Sequence, residues 1–490
     1  MLSTILFDIP TIFISVGLGI FTYVTYFYFK YFTRSNPIPG PIPLPFIGNL
    51  HQYPGDISEF SETCHKKYGD VWEFYLGHLS DKTRGVGVGR ADLLEKIYTT
   101  NQACNFILRT PPNDRLDEFD RSTKGLVYNR DYDTWLYYRK FFNRTIMAPK
   151  FIRQAVAWIE EYFEEMEGYW MKFDELDLSK WMFRLNTDTI FRITTNKKTY
   201  ALANYFNKVS LEEKKEKVKV DSTVLKESEK FIERINDFIT SLQYFLLTPK
   251  WLRHLPIGGF KQKTLHLLKE RDNLIGDLLH LITQRREEIN NTPLNTPVTP
   301  DMLTMFLTVN TDRDITEQIT DETNTEPIAD DAIIGNFMEA IAGGIDTTAE
   351  SICFISYYVA RHPEVKERLI KEIDSKFSRD QKLTYEDLQK LPYCEAVIRE
   401  VSRFHPTLDV NYRMNTEKEI LDGYIIPAET QIFIYQKGIN KHKAYWTNPE
   451  EFNPDRFLNG QDKNLTFQFG GGVRMCPVSH VFFIVWLFHF

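Results

Sequence analysis

Residues 469–478 read Phe469-Gly470-Gly471-Gly472-Val473-Arg474-Met475-Cys476-Pro477-Val478. Three successive glycines carry no side chains, so their backbone can lie close to a flat ligand. Arg474, two residues before the cysteine, offers a planar fork of donors suited to a carboxylate. Pro477 is the residue expected at the first position of a helix. Such a helix would point its positive end at the Cys476 sulfur and help to keep it ionised. A thiolate is a strong donor to haem iron, and cysteine ligation of haem iron favours O–O cleavage. Taken alone, the stretch also reads as a glycine-rich loop around a structural cysteine, because an unpaired cysteine is commonly a small buried hydrophobe.

Further from the cysteine, Gly343-Gly344-Ile345-Asp346-Thr347-Thr348 lies inside an apolar run with helical rhythm, residues 332–360. Adjacent glycines weaken a helix by about 1 kcal/mol each relative to alanine, which makes sense where something must fit against the backbone. Asp346 and Thr347 place an acid and a hydroxyl beside that space, and a small-residue helix crossing is the alternative. Glu400 and Arg403, within residues 391–406, share a helix face at i and i+3, a spacing that most often makes a weak surface ion pair. Trp135 and Arg139 stand one turn apart in Trp135-Leu136-Tyr137-Tyr138-Arg139, so an indole N–H and a guanidinium point the same way. Taken alone, that pattern reads first as an amphipathic surface helix.

As a set, these segments resemble the motifs of the cytochrome P-450 family, in the family's order. The cysteine stretch is similar to its haem-ligand signature, Phe-Gly-x-Gly-x-Arg-x-Cys-x-Gly. Phe469, Gly470, Gly472, Arg474 and Cys476 match, and Val478 stands where the last glycine belongs. The resemblance covers nearly all of residues 30–478. It implies a mainly α fold with a small β-sheet region, the cytochrome P-450 fold, behind a single N-terminal transmembrane helix. It also implies haem b (iron protoporphyrin IX), with Cys476 as the metal ligand. Phe469, Arg474, Arg413, Arg139 and Trp135 become cofactor-binding residues, the four polar ones at the propionates. Asp346 and Thr347 become the catalytic acid–alcohol pair that handles protons beside an oxygen groove made by the glycines. Glu400 and Arg403 become the family's Glu-x-x-Arg pair, which Arg456 of Phe452-Asn453-Pro454-Asp455-Arg456-Phe457 completes as a structural ion network.

The function implied is a haem-thiolate monooxygenase that inserts one oxygen atom from O2 into a small apolar organic substrate. Its electrons come from NADPH through a reductase. A peroxide isomerase or dehydratase of the same fold needs no reductase, but such relatives tend to lose the acid–alcohol pair. A non-catalytic or inactive truncated haem-binding membrane protein is the remaining reading. Regions that choose substrate in the family fall near residues 106–126, 201–219 and 337–345, where Phe106, Phe206 and Phe337 suggest an apolar ligand. Aromatic rings at such positions are more often core packing.

Composition agrees with a large intracellular body. The chain has 490 residues, 42% hydrophobic and 26% charged, enough for a sizeable core. Length alone suggests about three domains, whereas the scattered motifs argue for one domain around one cofactor. A net charge of −8 argues against nucleic-acid binding. Five widely spaced cysteines, Cys64, Cys104, Cys353, Cys394 and Cys476, suit a reducing compartment. Residues 9–29 carry no charge and at helical rise span about 31 Å, enough to cross a bilayer. Asp8 precedes the run and Lys30 and Arg34 follow it, which places the body in the cytoplasm. The organisation expected is a membrane anchor over 1–30, in contact with lipid through 9–29, a proline-rich hinge over 31–50, and a haem-binding domain over 51–490. That is a single-pass protein of the endoplasmic reticulum membrane.

Short strands are expected at 71–76 and 84–88, a strand around Arg413 at 410–414, and a hairpin over 420–434 turning at Asp422-Gly423. Helices are expected through most of 131–195, at 260–288, near 302–307, and through 332–376. Residues 211–219, of mixed charge, read as a solvated helix face, and 290–299 and 308–327 as mostly loop. After Cys476 only 14 residues follow, ending in an apolar run from 481 to 490. The family continues with a long helix and a hairpin. Val478-Ser479 is what GT(A/G)AGT encodes, the usual start of an intron, so an unspliced transcript would account for both the missing glycine and the tail.

Overall fold

The uncharged run at the amino end forms one helix, α1 (Ile9–Phe32), of which Phe13–Phe32 is long and apolar enough to cross a membrane. This computed structural model describes residues 9–76, 84–99, 104–109, 117–119, 124–212, 218–248, 250–315, 327–378, 381–458, 467–479 and 485–487. The chain divides into two units: Met1–Pro111 with Leu408–Trp446, and Pro112–Thr407 with Thr447–Phe490.

In the first unit, Phe13, Ile14, Phe21 and Phe29 of α1 face outward, while Phe27 and Tyr31 are buried. Tyr23 stacks on Phe46 with ring centroids 4.5 Å apart. Behind Phe46 lies α2 (Ile57–Tyr68), started by Asp56, whose carboxylate accepts from the Ser58 and Glu59 amides. The main sheet runs β1 (Val71–Tyr75), β2 (Arg84–Val88), β6 (Gln431–Tyr435), β3 (Val410–Met414). β1–β2 and β3–β6 are antiparallel; β2–β6 is parallel, so Val86 and Arg413 both stand opposite Ile432. Phe60 and Cys64 of α2 close the core with Trp72, Phe74, Val410, Phe433 and Tyr435. Glu73, in β1, is buried between two cations: Arg34 pairs with one carboxylate oxygen and Arg84 with the other at 3.0 Å. The Glu73 amide donates to Pro39 O at 2.9 Å, so the proline-rich segment lies along β1.

The expected hairpin turns at Asp422-Gly423 but is shorter than 420–434. It pairs β4 (Glu419–Leu421) with β5 (Tyr424–Ile426) and stops. Asn415 explains the break. Its side chain donates to Pro427 O at 2.7 Å and accepts from Thr430 N at 2.9 Å, turning the chain out of the hairpin and into β6.

The second unit is helical: α3 (Tyr132–Ile146), α4 (Pro149–Trp170), α5 (Leu178–Thr195), α6 (Ala201–Glu212), α7 (Ser222–Leu247), α8 (Phe260–Asn291), α9 (Met302–Thr308), α10 (Asp330–Arg361), α11 (Pro363–Asp374) and α12 (Pro392–Phe404). A mainly α fold with a small sheet is what the motifs implied. In α4 a proline opens the helix, and Phe151, Ala155, Ile159, Tyr162, Met166 and Tyr169 bury one stripe while glutamates cover the other. α10 begins with Asp330 and Asp331 and ends with Arg361, charges that complement its dipole. α12 stops just before Pro406, which disfavours helical geometry in the residue ahead of it. α7 was not anticipated, because its lysines and glutamates hide a buried stripe of Ile232, Ile235, Phe238 and Phe245. α8 runs on to Asn291, past the expected loop start. Of the mixed-charge run, residues 213–217 lie outside the described residues, as do 316–326 of the expected acidic loop. Asp188 of α5 is fully buried and accepts from the Ala201 and Leu202 amides at 2.9 and 2.8 Å, holding the start of α6.

Candidate active site

The cysteine loop is closed by its own backbone. Gly470 N donates to Phe467 O at 2.8 Å, Met475 N to Gly472 O at 3.1 Å, and Cys476 N to Phe469 O at 2.9 Å. Gly470 and Gly472 have φ of 69° and 66°, a region where a side chain would be strained. The last bond ties Phe469 to Cys476, and both pack with Val473 and Val478 against the core of the second unit. Cys476 is half-buried. Pro477 and Val478 form a turn and Ser479 is helical; residues 480–484 lie outside the described residues. Further on, Trp486 is buried and stacks on Phe469 with centroids 5.7 Å apart. None of the five cysteines, all among the described residues, forms a disulfide. Burial pushes the Cys64 thiol up to about 12 and the Cys353 thiol up to about 11, so both stay protonated and inert.

Arg474 is buried and lies over the Trp135 ring, 4.0 Å from its centroid. Its Nη1 donates to Leu126 O at 3.2 Å and Nη2 to Asn129 O at 2.9 Å. Trp135, 1% exposed, donates from Nε1 to Leu126 O at 3.0 Å. The structure therefore brings Trp135 and Arg474 together and gives both the same backbone carbonyl. Arg139 follows one turn later on α3, half-buried. Arg413 belongs to the first unit. It is buried in β3 with its guanidinium 4.9 Å from the Tyr98 ring centroid and donating to Tyr412 O at 2.8 Å. Burial pulls its pKa down to about 10, with the Arg109 charge pulling the same way and Tyr98 opposing.

Sequence reasoning missed Glu339. It is buried in α10 and accepts from the amides of Leu126, Val127 (2.7 Å) and Tyr128 (3.4 Å). The available signal was a single acid between Asp331 and Asp346 in an otherwise apolar stretch, with no basic residue one turn away on either side.

Just over one turn further along α10 the paired glycines divide their roles. A Cβ on Gly344 would stand 2.7 Å from Ile190 of α5, so this residue is the helix crossing. A Cβ on Gly343 would meet nothing within 4 Å, so the backbone there is bare. The Thr347 hydroxyl donates to Gly343 O, and Ser351 Oγ donates to Thr347 O at 2.8 Å. Asp346 is open to solvent on one side, and the atoms packed around the rest of it raise its carboxyl above the usual range.

The ion network under α12 is complete. Glu400 and Arg403 are fully buried and doubly bonded at 2.8 and 2.9 Å, and Arg456 Nε reaches the same carboxylate at 3.1 Å. Carbonyls of Pro449 and Glu451 take further Arg403 donors, and that of Thr447 takes Arg456 Nη1, so the charges are fully hydrogen-bonded. By contrast, Phe206 stacks on Tyr169 at 4.4 Å and Phe337 meets Phe306 at 6.0 Å, which makes both rings core packing.

The donor set suits a haem-thiolate centre. A soft sulfur sits on a self-closed glycine turn, a buried guanidinium and indole converge beside it, and a bare helix backbone carries an acid and a hydroxyl. The Cytochrome P450 family profile matches residues 38–477. The (+)-vincadifformine 19-hydroxylase of Catharanthus roseus is 26% identical over 497 residues, covering 97% of this chain and 88% of that protein. Cytochrome P450 3A17 of Cavia porcellus is 24% identical over 462 residues, covering 91% and 82%. In fold, the chain is similar to retinoic acid-bound cyanobacterial CYP120A1, with a TM-score of 0.70, 17% identity, and coverage of 93% and 91%. The motif set, the helical architecture and these likenesses agree: the chain belongs to the cytochrome P450 family and is a haem-binding monooxygenase of that family.

Proposed function

We propose that the chain hydroxylates a small apolar organic substrate, using haem b and electrons passed from NADPH by a reductase, while α1 holds it in the endoplasmic reticulum membrane with its body in the cytoplasm. One atom of O2 enters a C–H bond and the other leaves as water; two electrons and two protons balance the reaction. When bound, the haem supplies the oxygen chemistry, and the protein positions and tunes it. Cys476 would be the thiolate ligand, its loop held by the bond from its amide to Phe469 O and by the Phe469–Trp486 stack. Arg139, Arg474 and Arg413 would hold the propionates, with Trp135, whose single N–H is given to Leu126 O, packed against the Arg474 guanidinium; an anion beside Arg413 would offset the burial that lowers its pKa.

Asp346 and Thr347 move the protons. The raised carboxyl of Asp346 favours its protonated form, and its solvent-facing side lets it reload. Thr347, back-bonded to Gly343 O, keeps its hydroxyl against the bare backbone where O2 has room. That juxtaposition of bare glycine, acid and hydroxyl on α10 carries the reading. A hydroxylase among the relatives, and a tabersonine 3-oxygenase of Catharanthus roseus at 25% identity, support oxygen insertion.

The test is spectroscopic and then chemical. Reduced protein with CO should show the thiolate-type Soret band, and Cys476→Ser should abolish it. Product formation from an apolar panel should require NADPH and reductase. A histidine-type band in the unmutated protein, or turnover on peroxides without NADPH, overturns the proposal.

A further inference from the structure

We infer that Glu339 is a positioning residue for the cofactor site: it clamps the backbone of residues 125–129 and so fixes the carbonyls on which Trp135 and Arg474 are held. The inference rests on the reading that Trp135 and Arg474 serve the bound cofactor. Three consecutive backbone N–H groups, of Leu126, Val127 and Tyr128, converge on this one carboxylate. A carboxylate group at 6% exposure is tolerated because it is so hydrogen-bonded. Gly125 makes the approach possible. It has φ of 79°, and a Cβ there would lie 2.3 Å from a Glu339 carboxylate oxygen.

One of these peptides, 126–127, gives its Val127 N–H to Glu339 and turns its carbonyl to a cation, while Asn129 O lies just beyond the clamped amides. Leu126 O accepts from Trp135 and Arg474, and Asn129 O accepts from Arg474. A carboxylate oxygen at the N–H and a guanidinium at the C=O polarise the 126–127 amide in the same sense, so each contact strengthens the other. Glu339 lies seven residues, about two turns, before Asp346 on α10. One helix thus carries both the proton-handling pair and the anchor of the guanidinium.

A glutamine at 339 has one acceptor oxygen, and its NH2 would face backbone donors. The test uses full-length haem-loaded protein carrying Glu339→Gln, Glu339→Asp, Gly125→Ala, Arg474→Lys, and the Glu339→Gln/Arg474→Lys double variant. Amide exchange at 126–128 and haem transfer to excess apomyoglobin are measured on each. Glu339→Gln and Gly125→Ala should each speed exchange at 126–128 and speed haem loss about tenfold. Glu339→Asp, which keeps the charge, should recover part of both effects. The double variant should lose haem more slowly than the product of its two single effects predicts. Unchanged exchange in Glu339→Gln overturns the clamp. Faster exchange with unchanged haem loss, or strictly multiplicative effects, overturns its action through Arg474. Unchanged haem loss in Arg474→Lys instead overturns the reading on which the inference rests, and the exchange data then decide the clamp by themselves.

Discussion

At the scale of single residues, two acids of the second unit show how position sets protonation. Asp188 is fully buried; desolvation dominates over its hydrogen bonds and raises its pKa to about 6. Because the folded value lies above the unfolded one, the protonated folded form is favoured. The stabilisation is fully present below about pH 4 and is lost as pH rises through about 6, amounting to about 2–3 kcal/mol. Urea melts between about pH 4 and pH 7 should show that decline, and Asp188→Asn should flatten it; a constant difference between the two proteins would sink the assignment. Asp346, raised also by its surroundings, is the acid whose removal should reach the chemistry. Asp346→Asn should lower kcat about 10²-fold or more with little change in KM, measured under single-turnover and steady-state conditions. Such residues were legible in sequence because their chemistry depends on local spacing: Asp346 beside Thr347, Arg474 two before Cys476. Glu339 was not, because its partners are backbone amides far along the chain, which no side-chain motif encodes.

At the scale of elements, α12 and the segment behind it hold two kinds of ion pair. Glu400, Arg403 and Arg456 are buried, whereas Arg368 of α11 pairs with Asp455 at 2.7 Å with both side chains more than a third exposed. Glu400→Gln leaves two guanidinium groups without their anion and should cost about 3–5 kcal/mol in thermal unfolding, with poor haem incorporation. Asp455→Asn, the same isosteric neutralisation at the exposed pair, should cost less than about 1 kcal/mol. A similar loss for both would show that burial is not what matters here. The i, i+3 spacing of Glu400 and Arg403 announced a pair, and resemblance announced Arg456. The carbonyls that complete the network come from loop geometry and were invisible. The same holds for the late strands: alternation suggested one hairpin, and the buried side chain of Asn415, not any hydrophobic pattern, ends it at Ile426.

At the scale of the whole molecule, most helices were readable from their period, α7 being the exception, but the pairing of β2 with β6 was not. Parallel neighbours from distant parts of the chain leave no turn signal between them. The amino-terminal helix brings a prediction of its own. Removal of residues 9–29 should shift the protein from floated vesicles to the soluble fraction, and retention on vesicles would count against the anchor. Truncation before Thr33 keeps Arg34, whereas truncation after Ser35 removes it and leaves Glu73 with one cation fewer. The second protein should be less stable by about 1–3 kcal/mol in thermal unfolding, and equal stability would show that the Arg34 pair is idle.

That shared carboxylate has a mechanical meaning. Arg34 lies two residues past the end of α1, Arg84 belongs to β2, and Tyr23 and Phe46 stack across the intervening prolines. A sheet on a loose tether would swing through every inclination. This one is braced to its mast by charge and by ring contact, so it should keep a steady tilt against the lipid normal, with Ile42, Leu44 and Ile47 turned to the same side of the water–lipid boundary throughout.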